Sequence, residues 1–94
     1  PKAINHPRVY INLGQGPTGN WLGFFYESAR IPTLLNAGSP VTPDFCAVSA
    51  GDVTGDGYPD LYFVDYGESN DRLLINDGNG FFTDQTSTRL TASM

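Results

Sequence analysis

The chain has one cysteine, Cys46, in 94 residues, so no disulfide can close within it. Lys and Arg number only five and stand singly, which leaves no basic footprint for a DNA or RNA backbone. At a formal net charge of −5 the chain would also be repelled by an anionic membrane surface. No apolar run is long enough to cross a bilayer. Nucleophile-elbow, P-loop and dinucleotide fingerprints are missing, as is any Asn-x-Ser/Thr acceptor. No stretch of useful length repeats with a helical period. Nucleic-acid binding, membrane insertion and a disulfide scaffold drop out on these grounds. Cys46 lies on an apolar stretch, and the expectation is a buried thiol acting as a small hydrophobe.

What the chain does have is aspartate, and more than half of it lies between residues 52 and 71. Asp52-Val53-Thr54-Gly55-Asp56-Gly57-Tyr58-Pro59-Asp60 puts carboxylates at positions 1, 5 and 9, a hydroxyl at 3 and a glycine at 6. A hard cation such as Ca²⁺ takes six to eight oxygen ligands at roughly 2.3 to 2.6 Å. Alternate residues of a tightly curled loop can aim their oxygens at one point, and glycine permits the curl because it has no Cβ. Three negative charges so close would otherwise repel. The plain alternative is an Asp/Gly-rich surface turn with no ion. An EF-hand needs a glutamate at the twelfth position, where this chain has Phe63, and a helix on each side. The flank Leu61-Tyr62-Phe63-Val64 is aromatic and β-branched and reads as a strand, as does Phe45 to Ala50 upstream. The loop therefore joins two strands.

Asp52 to Leu61 resembles the calcium loop of FG-GAP/VCBS repeats, which form blades of β-propellers in integrin α-chains and in secreted bacterial proteins. Arg72-Leu73-Leu74-Ile75-Asn76-Asp77-Gly78-Asn79-Gly80-Phe81-Phe82-Thr83-Asp84 resembles the outer hairpin of such a blade. The resemblance implies Ca²⁺ held by the side chains of Asp52, Thr54, Asp56 and Asp60 and by the carbonyl of Tyr58. Thr54 stands where Asp or Asn is commoner, which lowers the ligand charge. Phe45-Cys46 and Val64-Asp65-Tyr66 replace the letters that name the motif. That points to the bacterial VCBS branch and away from integrin-like ligand binding.

The chain also repeats itself. Arg8 to Gly16 lines up with Arg72 to Gly80 at a constant offset of 64, with the Arg, Ile, Asn and two Gly pairs identical. After an insertion, Pro17 to Leu22, Phe24-Phe25 matches Phe81-Phe82, and Ser28-Ala29-Arg30-Ile31 matches Ser87-Thr88-Arg89-Leu90. A recurring unit of this size signals blades or an array. The expected fold is all-β: about one and a half propeller blades of antiparallel strands, from a larger propeller. Residues 1–32 would be the outer hairpin of one blade, 33–43 a connecting loop, and 44–94 a nearly complete four-stranded blade. Strands are expected near 45–51, 61–66, 72–76 and 81–85, with a hairpin near 8–12 and 23–28. Leu61, Phe63, Leu74 and Phe82 would need apolar partners from outside the chain. The opening on Pro1 without an initiator Met reads as a slice of a longer or processed protein, and the isolated piece is expected to be unfolded or to associate.

Other residues invite a bland reading first. His6, before Pro7, reads as part of a solvated terminus. Trp21 reads as a loop anchor before a sugar platform. Tyr58, Tyr62 and Tyr66 share one face if extended and read as packing for the next blade. The functional expectation is a calcium-stabilised propeller segment of an extracellular or cell-surface protein, bacterial and secreted, with a structural, adhesion or assembly role and no catalysis. Its partners would be neighbouring blades, with a protein or glycan as ligand. The competing reading is the non-catalytic portion of a propeller-type carbohydrate-active enzyme.

Overall fold

The computed structural model describes residues 6–35, 44–65 and 71–90. Short runs of apolar and β-branched residues, cut by glycine turns, can satisfy their backbone only by pairing with each other. They do so as two antiparallel sheets. In the first, β1 (Tyr10–Asn12) pairs with β2 (Phe24–Tyr26). The second has the order β3 (Phe45–Gly51), β4 (Asp60–Asp65), β5 (Arg72–Asn76), β6 (Phe82–Asp84), each strand beside its neighbour in sequence. The strands fall where the sequence pattern placed them. One helical turn, α1 (Thr86–Arg89), was not expected; it follows β6, and Asp84 Oδ1 accepts from the N–H of its first residue, Thr86, at 3.1 Å.

The sequence repeat is a repeat of hydrogen bonds. Asn12 Oδ1 accepts from the Gly14 N–H at 3.0 Å, and Asn76 Oδ1 from the Gly78 N–H at 2.8 Å. The Glu27 N–H donates to the Val9 carbonyl at 2.9 Å, and the Gln85 N–H to the Leu73 carbonyl at 2.9 Å. Asn12 stands opposite Phe24, and Asn76 opposite Phe82. Phe24 therefore corresponds to Phe82 rather than to Phe81, one place along from the match read in the sequence. The extra residue of the α1 turn brings Arg30 and Arg89 back into correspondence.

Within this chain β5 is covered on both faces of the four-stranded sheet, with Leu73, Leu74 and Ile75 all buried. Ile31, Leu34, Phe63 and Leu74 form the core, with Val9, Phe45, Leu61 and Phe82 packed against it. This corrects the expectation that Phe63 and Leu74 need outside partners, while Leu61 and Phe82 are covered only in part. Ile31, from the end of the expected first hairpin, and Leu34, from the expected connecting loop, lie against them instead. Fully burying a side chain such as Leu34 or Leu74 contributes roughly 1.5 to 3 kcal/mol. His6 is likewise no solvated terminus, for only 3% of it is exposed. Its Nε2 accepts from the Leu34 N–H at 2.9 Å, and its Nδ1–H donates to the Pro7 carbonyl at 2.8 Å. A buried N–H outside any strand must find an acceptor, and the imidazole is the one at hand.

Cys46 is exposed, against expectation. The register slips between Phe45 and Ala47, so Cys46 is the extra residue of a β-bulge on an edge strand. Its thiol points to the Val64 carbonyl at 3.6 Å instead of into the core.

Candidate metal centre

The loop between β3 and β4 is organised by its own carboxylates. Asp52 Oδ1 accepts from the N–H groups of Gly55 at 2.8 Å and Asp56 at 3.3 Å and from the Thr54 hydroxyl at 3.4 Å. Its Oδ2 accepts from the Gly57 N–H at 2.8 Å. Gly57 has a φ of 88°, in the left-handed region where a Cβ would clash, and this turns its N–H back toward Asp52. Asp56 Oδ1 in turn accepts from the Tyr58 N–H at 2.9 Å. These donors favour the ionised carboxylate. The Asp52 carboxyl is held below its ordinary value, first by the Gly57 N–H, against some desolvation, and then by those of Gly55 and Asp56.

Asp60 does something different. It is buried, with 1% of its surface exposed. Its Oδ2 accepts from the Val53 N–H at 3.0 Å and its Oδ1 from the Asn76 N–H at 2.9 Å. One side chain thus fastens the start of the loop and the end of β5 to the first residue of β4. Asn76 completes the junction, because its Nδ2 donates to the Pro59 carbonyl at 3.1 Å while its Oδ1 accepts from Gly78 and Gly80. The sequence marked Asn76 as a repeated residue but not as part of this junction. Its signal was the pair of glycines that follow in both copies.

The five expected ligand positions are therefore distributed as follows. Asp52, Thr54 and Asp56 are tied together on the outer part of the loop, Tyr58 is half exposed beside them, and Asp60 sits at the base. Among the described residues no three Asp, Glu, His or Cys side chains stand together as a ready metal-holding group. The donor chemistry still fits a hard cation. Every donor is oxygen, and a carboxylate oxygen that accepts one N–H keeps a further acceptor site. The N–H bonds fix the carboxylates in the way outer-shell donors orient metal ligands.

A second carboxylate cluster lies at the far end of β4. Asp71 Oδ1 accepts from the Asp65 N–H at 2.8 Å, and its Oδ2 from the Tyr62 hydroxyl at 2.7 Å. These two donors, the Asp65 N–H foremost, hold the Asp71 carboxyl below its ordinary value, and the same bond raises the Tyr62 phenol. The three tyrosines do not act alike. Tyr62 ties β4 to Asp71, and the Tyr58 ring covers the β5–β6 turn, where a Cβ on Gly78 would stand 3.4 Å from it. Tyr66 lies outside the described residues. Trp21 anchors its loop, as expected, with Nε1 donating to Asn12 Oδ1 at 2.8 Å, though the ring stays exposed against Phe24.

A scan of protein-family models matches residues 52–94 to the FG-GAP-like repeat. No curated protein and no solved structure matches the chain.

Proposed function

Because residues 52–94 are an FG-GAP-like repeat, we propose that the chain is a calcium-stabilised segment of an extracellular β-propeller, serving adhesion or assembly and not catalysis. FG-GAP repeats often bind calcium. The observation that carries the reading is the acidic loop, whose last carboxylate, Asp60, joins β4, β5 and the loop's own start. The groups that would hold the ion are the side chains of Asp52, Thr54, Asp56 and Asp60 and the Tyr58 carbonyl. Bound calcium supplies positive charge that offsets the repulsion among the three aspartates. The chain's own part is to fix those oxygens: Gly57 and Gly55 hold Asp52, Tyr58 holds Asp56, and Val53 and Asn76 hold Asp60.

Assembly with other blades is supported by the other hairpin. Tyr10, Leu13, Trp21, Leu22, Phe24 and Phe25 are all exposed on β1, β2 and their connection. Phe24 and Phe25 are successive residues of β2, so apolar side chains are exposed on both faces of this hairpin, and large apolar surface left open suits packing against other blades. In the second copy the equivalent of β1 is β5, which is paired on both edges. An extracellular setting would supply calcium at the concentration that a loop of the expected affinity needs.

Calorimetric titration of CaCl₂ into the full chain tests the ion. A dissociation constant on the order of 10⁻⁴ to 10⁻³ M is expected, as for extracellular modules. Asp56→Ala is expected to abolish the heat of binding, and unchanged binding by that variant would contradict the assignment.

A further inference from the structure

Arg30 joins the two copies. Its Nη1 donates to the Asn79 carbonyl at 2.9 Å, its guanidinium lies 4.3 Å from the centre of the Phe81 ring, and its own carbonyl accepts from the Phe82 N–H at 2.7 Å. The turn has room for it because residue 80 is glycine. A Cβ there would stand 2.7 Å from Arg30 Nη1. Glu27 aims the arginine, with Oε2 3.4 Å from its Nε. The next residue, Ile31, enters the core of the four-stranded sheet. Arg30-Ile31 thus acts as a clamp and plug on the hairpin tip of the copy that follows.

Arg89-Leu90 is the same pair in the second copy. Gln85, which corresponds to Glu27 by its bond to the Leu73 carbonyl, aims Arg89 through Oε1 at 2.6 Å from Nε. Arg89 is exposed, and among the described residues its guanidinium bonds nothing but Gln85. We infer that Arg89 and Leu90 form a docking surface for the hairpin tip of a following repeat. That tip would carry the features of Asn79-Gly80-Phe81: a free turn carbonyl, a glycine without Cβ, and an aromatic ring for the guanidinium. A second copy of this chain does not fit, because both of its tips are filled. Arg30 occupies the one at Gly80. At Gly16, the counterpart of Gly80, a Cβ would already meet Leu22 Cδ2 at 3.1 Å. The inserted Pro17–Leu22 segment has taken the arginine's place there. The partner is therefore a further repeat joined in sequence. This inference rests on the reading of the chain as part of a blade array.

The test extends the chain past Leu90 with a copy of residues 32–94, which keeps the register of the repeat. Urea denaturation followed by circular dichroism is compared for the extended and the 94-residue chains, each with Arg89 and with Arg89→Met. The extended chain should show a larger dependence on urea, in keeping with more buried surface. Arg89→Met should lower its midpoint by about as much as Arg30→Met does in the same chain, and Arg89→Lys should lower it by less, since lysine keeps the charge but not the planar fork. In the 94-residue chain Arg89→Met should leave the midpoint unmoved. An extended chain that folds cooperatively but is indifferent to Arg89→Met would overturn the docking role while leaving the blade reading intact. If the added copy contributes no further structure, both the blade-array reading and the docking role fail together.

Discussion

The two hairpins share a sequence pattern and part company in what surrounds them. β1–β2 and β5–β6 both open on an asparagine that caps its own turn. Around Asn76 the turn is short, and the asparagine also reaches across to Pro59 and shares the Asp60 junction. Around Asn12 the turn is longer by the inserted segment, and the asparagine's second partner is a tryptophan within the same loop. Leu74, paired on both sides, is fully buried, whereas Tyr10 at the matching place is half exposed. The same local code thus gives a core element where two more strands and an acidic loop stand beside it, and an open element where they do not. Local hydrogen bonds specify the turn, while neighbours decide the stability.

The sharpest way to break this comparison is truncation at the matched pair. Leu74→Ala should cost about 2 to 5 kcal/mol, as for other fully buried leucines. Tyr10→Ala should stay within about 1 kcal/mol, as for exposed sites. Urea denaturation measures both, and equal losses would remove the distinction. The asparagines come next. Asn76→Ala leaves the half-buried Gly78 and Gly80 N–H groups and the Pro59 carbonyl unmet and should cost about 1 to 3 kcal/mol. Asn12→Ala, in an exposed turn, should cost about 0.5 to 1.5 kcal/mol and shift Trp21 fluorescence as its N–H loses a partner.

A smaller effect belongs to pH. Asp71 is lowered below its ordinary value of 3.8, so its contribution is complete above that value and is lost as pH falls through the lower folded value. Tyr62 is raised above its ordinary 10.0, so its contribution is complete below that and is lost as pH rises through the higher folded value. Tyr62→Phe removes one of the two bonds to Asp71. It should reduce the acid-side loss in part, because the Asp65 N–H remains as the larger cause. Midpoints measured from about pH 2 to 5 check the sign.

Much of the fold was legible because strands and turns are written locally. Glycine and asparagine mark the turns, aromatic and β-branched runs mark the strands, and the Arg-x-x-Ile-Asn repeat marks the copies. What escaped depends on distant contacts. His6 has no sequence neighbour that announces Leu34, and its burial follows from a backbone N–H that nothing else reaches. Ile31 and Leu34 sit among prolines and a glycine and show no period, yet they close the sheet. The bulge at Cys46 reverses a side chain that alternation would have turned inward. In the candidate site, the spacing of Asp52, Asp56 and Asp60 was plain. The division of labour between an outer pair held by loop N–H groups and a buried Asp60 bonded to β5 was not, because it depends on where β5 lies.

Amide hydrogen exchange with calcium and with EDTA probes the central claim most directly, because it reads both hairpins at once. The N–H groups of Val53 and Asn76 are held by Asp60, while those of Leu13 and Gly14 are held within the first hairpin by Gly23 and Asn12. Calcium should slow exchange at Val53 and Asn76 and leave Leu13 and Gly14 unchanged. Equal slowing at both hairpins, or no slowing at either, would contradict the account.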